Sequence, residues 1–555
     1  MPADANIARH LGAMAIRQPN QVALKVPRGR TRGGDIDYLV LTFAELDKEV
    51  RAWCDRLAGA GVSCGDRTLV MVRQGLPLIG SVFALFRLGA VPVVIDPGMG
   101  LRSFLGCVER SRPRVLVGIP IARLIAHFFR RPFRTLAVRV AASGSLTSRL
   151  RARGRTARNF DRGTPSVERG ANDLAAVLFT SGSTGAPKGV SYEHGMFEAQ
   201  VSLIRETYAI EPGEIDLPLL PLFALFNPAL GMATIVPELD PRRPAAVDPG
   251  RIVQAIRQEQ VTNTFGSPTL WNRIGSYCES KGMALPSLRR VLCAGAPVPS
   301  DLWRRARSFL PMGRLHSPYG ATEALPVASV ADGDWDPDSL QGACVGRPLP
   351  SLRVRIIRIS DGTVRTLADT RELPAGEIGE IIVSGPVVTK VYDGLPEATA
   401  AAKIREVSAG NPTDGSIWHR MGDCGFLDAE RRLWFCGRKA ERVFTGPATF
   451  HTEPCERVFR RHPRAGCCAL IGLGEYSCQV PAVVVETKIR NSSDGRKLAR
   501  ELRLLALQHD HTAAIRVFYF HPCFPVDVRH NAKIHRRTLA HWARTAKGFE
   551  SDPKR

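Results

Sequence analysis

Apolar residues gather in short runs: RTLVMVR at 67–73, AVPVVIDP at 90–97 and RVLVGIP at 114–120, with a helix-like stretch, PLIGSVFALFRLG, at 77–89. Runs of this length bounded by turn residues read as buried strands, and strands alternating with helices predict α/β layers with largely parallel sheets. The alternation returns in AAVLFT at 175–180, VTNTFG at 261–266 and RRVLCAG at 289–295, each closed by a turn containing Gly or Ser. Open α/β sheets place ligands at such strand ends.

After about residue 340 the texture changes. VRIIRI at 354–359, GEIGEIIVSGP at 376–386 and RRLWFCG at 431–437 are short strand patterns divided by Gly, Asp and Pro, which predicts a β-rich subdomain. From about 440 to 544 a third pattern sets CALIGLG, AVVVETK and AIRVFYF around the helical ARELRLLALQ. The expected organisation is a large N-terminal domain of layered α/β sheets, residues 1–438, and a small α+β lid domain, residues 439–555.

Composition narrows the class. No stretch offers the roughly 18 consecutive apolar residues of a membrane span, and MPADANIARHLGAMAIRQPNQ lacks the pattern of a signal peptide. The 13 cysteines form no paired C-x-x-C runs, so reduced thiols in a cytosolic protein are expected. The net charge is +23, from 76 Lys and Arg against 53 Asp and Glu, a field that favours anionic partners. Arginine is densest in FFRRPFRTLAVRV at 128–140 and SRLRARGRTAR at 148–158. That region reads equally as a patch for acidic lipid or as a core strand, LAVRV, beside a polar loop.

Directly after AAVLF stands Thr180-Ser181-Gly182-Ser183-Thr184-Gly185-Ala186-Pro187-Lys188-Gly189. Glycines let backbone N–H groups converge on an anion, hydroxyls donate further hydrogen bonds, and a lysine supplies a point charge. Polyphosphate is the expected guest. A Walker A loop requires Gly immediately before Lys and then Ser or Thr; Pro187 and Gly189 exclude it.

This loop resembles the phosphate signature of the adenylate-forming superfamily, which contains acyl-CoA synthetases, adenylation domains of peptide synthetases and luciferases. The other motifs follow in order. Ala294-Gly295-Ala296-Pro297 resembles the turn against adenine. In Tyr319-Gly320-Ala321-Thr322-Glu323 the resemblance implies a ring stacked on the base, Thr322 on phosphate and Glu323 holding Mg²⁺, with Thr184 of the phosphate loop a second metal contact. Trp418-His419-Arg420-Met421-Gly422-Asp423 resembles the motif whose aspartate takes both ribose hydroxyls. Gly437-Arg438 resembles the hinge, with Arg438 a nucleotide partner, and Phe524-Pro525-Val526-Asp527-Val528-Arg529-His530-Asn531-Ala532-Lys533-Ile534 stands where the superfamily has its lysine loop. The resemblance implies ATP and Mg²⁺ as cofactors and Lys533 as the catalytic cation, for a carboxylate and an α-phosphate are both anions and must meet.

Several positions depart from a generic acyl-CoA synthetase. Ala224, within Leu220-Pro221-Leu222-Phe223-Ala224-Leu225-Phe226-Asn227-Pro228, stands where a histidine is usual. Ala440 replaces the hinge aspartate, Pro447 stiffens the following loop and Ala532 replaces a glycine. With these departures the chain resembles the subfamily of bacterial β-lactone synthetases of long-chain olefin biosynthesis. That implies a 2-alkyl-3-hydroxy fatty acid adenylated and then closed on itself, an intramolecular attack that proximity favours. His194 and His316 are candidate acceptors for the hydroxyl proton. An acyl-CoA or acyl-carrier-protein ligase and a catalytically silent nucleotide-binding scaffold are the alternatives. Expected partners are the long-chain 3-hydroxy acid, other enzymes of a hydrocarbon-forming assembly and acidic lipid, with no nucleic acid; the expected location is cytoplasmic or at the inner membrane face.

Overall fold

The computed structural model describes residues 4–142, 166–180, 186–240, 246–407, 415–526 and 533–551. Three sheets and a two-stranded ribbon organise them. In the six-stranded sheet the order is Val138–Ala141, Val115–Gly118, Arg67–Met71, Val91–Ile95, Leu174–Thr180 and Lys188–Glu193. The first five are parallel, whereas the last two form an antiparallel hairpin in which Thr180 faces Lys188. The sequence pattern indicates the first of those hairpin strands and not the second, because KGVSYE carries no strand-length apolar run.

A 14-stranded sheet changes character along its width. Ala233–Ile235, Ile215–Pro218, Asn263–Gly266, Arg290–Cys293 and Arg314–Ala321 run parallel. Beyond them Ala324–Ala331, Ala343–Pro348, Leu433–Arg438, Ile417–Leu427, Gly379–Ser384 and Arg353–Ile357 are antiparallel, the β-rich part expected after residue 340. Helices Pro249–Glu259, Pro268–Ser280 and Ser300–Phe309 cover the parallel part through Ile256, Trp271 and Phe309. Pro268–Ser280 begins where Ser267 Oγ accepts from Leu270 N and proline takes the first turn, the sequence signature of a helix start. Gly275 leaves space for the Phe309 ring, which a Cβ would meet at 2.8 Å.

The C-terminal residues have a core of their own, built from Phe459, Leu498, Leu502 and Phe518 around the sheet Cys468–Leu473, Val480–Glu486, Val517–His521 and Phe549–Glu550. Helix Thr452–Phe459 reaches back to earlier residues, Arg457 donating to the carbonyls of Pro337 at 2.9 Å and Ser339 at 3.2 Å. All thirteen cysteines are free thiols, and no helix of the described residues is long and apolar enough to cross a membrane.

The strand reading of the arginine-rich region is realised at Val138–Ala141. Val138–Ala141 is an edge strand and Phe133 is buried, but Phe128 is 71% exposed. The stretch 148–158 lies outside the described residues.

Candidate active site

Of the phosphate-loop candidates, Ser181, Gly182, Ser183, Thr184 and Gly185 lie outside the described residues, as does the side chain of Thr180. What is described is the frame. The hairpin ends on Thr180 opposite Lys188, and Gly189 must be glycine because the Phe179 ring would stand 2.7 Å from a Cβ there. Arg110 donates to the Pro187 carbonyl at 2.5 Å, pinning the loop's exit. Lys188 Nζ sits 4.8 Å from the centroid of the Tyr392 ring, a cation–π contact that holds the ammonium at the hairpin mouth.

Tyr392 ties this lysine to the second motif: its hydroxyl donates to Glu323 Oε1 at 2.6 Å. The Glu323 carbonyl accepts from Thr389 N at 2.9 Å and Thr389 Oγ1 at 3.2 Å. Beneath them Lys403 donates to the Thr389 carbonyl and hydroxyl. Burial pushes the Lys403 ammonium down to about 7 against the opposing pull of Glu323. On the neighbouring strand His419 pairs with Lys403; its Nδ1 has no partner among the described residues, and burial, with Lys403 adding to it, holds its ring well below the usual range. The Tyr192 hydroxyl closes the cluster on the Thr322 carbonyl. Gly320 allows the tight hairpin here, a Cβ meeting the Ala324 carbonyl at 2.5 Å.

A second cluster stands around Asp423. This buried carboxylate accepts from the Tyr319 hydroxyl at 2.7 Å and from Arg438 Nη1 at 2.8 Å. Burial raises its pKa, while Arg438, Tyr319 and Lys533 pull it back. The Lys533 ammonium thus acts on Asp423 from 110 positions along the chain, and the short bridge Val526–Ile534 closes its loop. Residues 527–532 of that loop lie outside the described set. Gly295, with φ of +102°, turns the chain after Arg290–Cys293 so that Ala296 and Pro297 come to the strand end.

The two histidines are elsewhere. His194 opens the helix His194–Tyr208, packs its ring on Phe86 at 6.0 Å, and is pushed down to about 4 by burial and Arg169; the carboxylates acting on it are Asp173, Asp4 and Glu198. His316 packs on Tyr208 at 5.4 Å and is also held down to about 4 by burial and Arg314. Among the described residues, the charged groups acting on either ring include neither Glu323 nor Asp423.

An aromatic wall runs from Tyr192 to the strand end before Gly295. Tyr192 stacks on Phe197 at 5.0 Å, Phe197 meets Phe226, Phe226 meets Phe223, and Phe223 stacks on Phe265 at 3.7 Å. Phe265 packs on Ala294, beside the turn at Gly295. Residues 221–231 build this wall as two short turns, anchored where Asn227 donates to Asp216 at 2.9 Å and Thr234 at 2.8 Å. Lys403, Thr389, Tyr392 and Phe265 escaped the sequence reading because none lies in a glycine-rich turn. A lysine in AAAKIRE looks like a solvated one.

The donor set suits a nucleotide with a hard divalent ion. Among the described residues no three His, Cys, Asp or Glu side chains form an all-protein metal cage, while Glu323 offers one carboxylate beside Lys188; Mg²⁺ is commonly bound by one or two carboxylates plus substrate phosphates.

The AMP-binding enzyme family matches residues 14–393, and the chain belongs to that family. It is 41% identical to the olefin beta-lactone synthetase of Xanthomonas campestris pv. campestris, over 97% of both chains. It is 42% identical to the olefin beta-lactone synthetase of Stenotrophomonas maltophilia, over 97% of this chain and 98% of that one. In fold it resembles ATP-bound MatB from Rhodopseudomonas palustris, with a TM-score of 0.76, 22% identity, and 98% and 99% of the two chains covered.

Proposed function

We propose that this AMP-forming, ATP-using ligase activates a long-chain 2-alkyl-3-hydroxy fatty acid as its acyl-AMP and closes it to a β-lactone, releasing AMP and pyrophosphate, in hydrocarbon biosynthesis. The observation that carries the proposal is the buried Asp423 carboxylate held by the Tyr319 hydroxyl at 2.7 Å and Arg438 at 2.8 Å, in a chain with olefin beta-lactone synthetases as near full-length relatives. In this reading Asp423 accepts from the ribose, Tyr319 and the Gly295-Ala296-Pro297 turn flank adenine, and Arg438 steadies Asp423. Lys188 and the 180–185 loop take the phosphates with Thr322. Glu323, with Thr184, would hold Mg²⁺, which when bound neutralises phosphate charge.

Lys533 then stands where it offsets repulsion between the entering carboxylate and the α-phosphate. The wall of Phe197, Phe226, Phe223 and Phe265 offers apolar surface to an alkyl chain. Once the acyl-AMP forms, the 3-hydroxyl attacks the same carbonyl carbon and the carbonyl–phosphate oxygen bond breaks. Holding nucleophile and carbonyl in one molecule lowers the barrier by several kcal/mol, up to about 7–11 in favourable cases. The hydroxyl proton is assigned to neither His194 nor His316, because their charged neighbours belong to other parts of the fold.

Residues 439–555 act in this proposal as the lid that carries Lys533. The protein works in the cytoplasm, with peripheral contact at the inner membrane face and with other enzymes of the same route. Incubation with ATP, Mg²⁺ and a long-chain 2-alkyl-3-hydroxy acid, with and without CoA, tests the chemistry. The expected product is the acid less one water, formed without thiol. A strict requirement for CoA or a carrier-protein thiol would instead identify a thioester-forming ligase.

A further inference from the structure

The helix Pro120–Phe128 is built inside out. Its small residues Ala122 and Ala126 are buried against the six-stranded sheet, whereas Ile121, Leu124 and Phe128 are 53%, 50% and 71% exposed. These positions are spaced i, i+3 and i+7, so three large apolar side chains share one stripe. Phe129 extends it at 37% exposure. A contiguous apolar patch on a protein surface marks an interaction site more often than scattered residues do.

Arginine surrounds the stripe. Arg123 lies on the same helix, and Arg130, Arg131 and Arg134 follow it, all exposed. Arg131 Nε is 3.3 Å from Glu109 Oε1. Glu109 and Arg134 line a cavity of about 670 Å³ together with Arg67, Arg110, Arg112 and Asp393, four guanidinium groups against two carboxylates. The apolar stripe and a net-positive basin therefore adjoin on one face.

We infer that this face docks on a membrane surface containing anionic phospholipid. Ile121, Leu124 and Phe128 enter the boundary between headgroups and acyl chains, and the arginine basin receives headgroup phosphate. Apolar insertion and attraction to anionic lipid are the two contributions that make interfacial binding stable, and neither alone suffices. The +23 net charge adds an attractive field of the same sign. The assignment does not depend on which acid the enzyme activates.

Sedimentation of the full chain with phosphatidylcholine vesicles, with and without phosphatidylglycerol, at low and high salt, tests it. Binding is expected only with phosphatidylglycerol and is expected to fall as salt rises. The pair Leu124→Ser/Phe128→Ser lowers partitioning on the order of 10-fold or more. The pair Arg112→Gln/Arg134→Gln, two of the basin's exposed guanidinium groups, lowers it on the order of 10-fold. Both variants keep ATP–pyrophosphate exchange in the absence of vesicles, so a defect in docking is separable from one in chemistry. Hydrogen exchange on the unmodified protein provides an independent arm: vesicles protect residues 120–134. Absence of binding, binding indifferent to both pairs, protection confined to other segments, or a change in the lipid-free sedimentation coefficient when the stripe is removed, which would mean a second copy covers it, each overturns the inference.

Discussion

The Tyr319 hydroxyl and the Asp423 carboxylate, 104 residues apart, share a hydrogen bond of 2.7 Å inside the protein. Tyr319 ends a strand of the parallel half of the large sheet and Asp423 belongs to its antiparallel half. One acidic group is thereby buried, oriented and matched with Arg438. Asp423→Ala is expected to raise the KM for ATP roughly 10- to 100-fold, the scale of losing hydrogen bonds to a charged group. Tyr319→Phe should cost less, since Arg438 remains. ATP titration of pyrophosphate exchange measures both, and an unchanged KM in Asp423→Ala would remove this residue from the nucleotide site.

Lys533→Ala is expected to lower acid-dependent pyrophosphate exchange by about 100-fold or more, the magnitude seen when one donor to developing charge is lost. ATP binding, measured by calorimetry, should change far less. If binding and exchange fall together, the lysine serves the ground state.

Gly437 has φ of +132°, and a Cβ there would collide with the Thr452 hydroxyl at the start of the next helix. Gly437→Ala is therefore expected to unseat residues 452–551 from the strand Leu433–Arg438. Exchange activity should drop at least about 10-fold and trypsin cleavage near 440–450 should accelerate. Normal activity and cleavage in this variant would show that the seating is not needed.

Lys403 is joined to Glu323 by hydrogen bonds through Thr389 and by the direct attraction of the two charges. Lys403→Met is expected to raise the Mg²⁺ concentration needed for half-maximal exchange by roughly 10-fold, with a smaller effect on the maximal rate, as expected for a positioning residue. A fall in maximal rate at unchanged Mg²⁺ dependence would argue for a different role.

Burial pushes the Asp216 carboxyl from an ordinary 3.8 up to about 7, partly offset by the Asn227 amide. The folded chain then holds this proton between pH 3.8 and about 7 while the unfolded chain releases it. Its contribution to stability is greatest below 3.8 and declines as pH rises to about 7. Asp216→Asn should therefore stabilise the protein at pH above 7, by about 1–3 kcal/mol, and the gain should shrink in acid. Denaturant melts at both ends of that range decide it; a variant less stable in alkali would contradict the burial argument.

The elements that the sequence makes legible share one property. Strands such as Val91–Ile95 and Val115–Gly118 are continuous apolar runs, and the turns at 294–297 and 319–323 keep their glycines close to the strand ends they serve. Their backbone geometry is local, so composition declares it. The second hairpin strand, Lys188–Glu193, was not legible, because its burial comes from the strand it folds against and not from its own residues.

What the sequence by itself determined is therefore the set of loops able to meet a nucleotide and the family to which they belong. Only the tertiary structure decided which charges share an environment: Lys188 with Tyr392 and Glu323, Lys403 beneath them, Lys533 acting on Asp423, and His194 and His316 elsewhere. The reason is physical. Burial and Coulomb interactions depend on distance in space, and separations of 69 residues between Glu323 and Tyr392 and 204 between Lys188 and Tyr392 collapse to contact only when the sheets close.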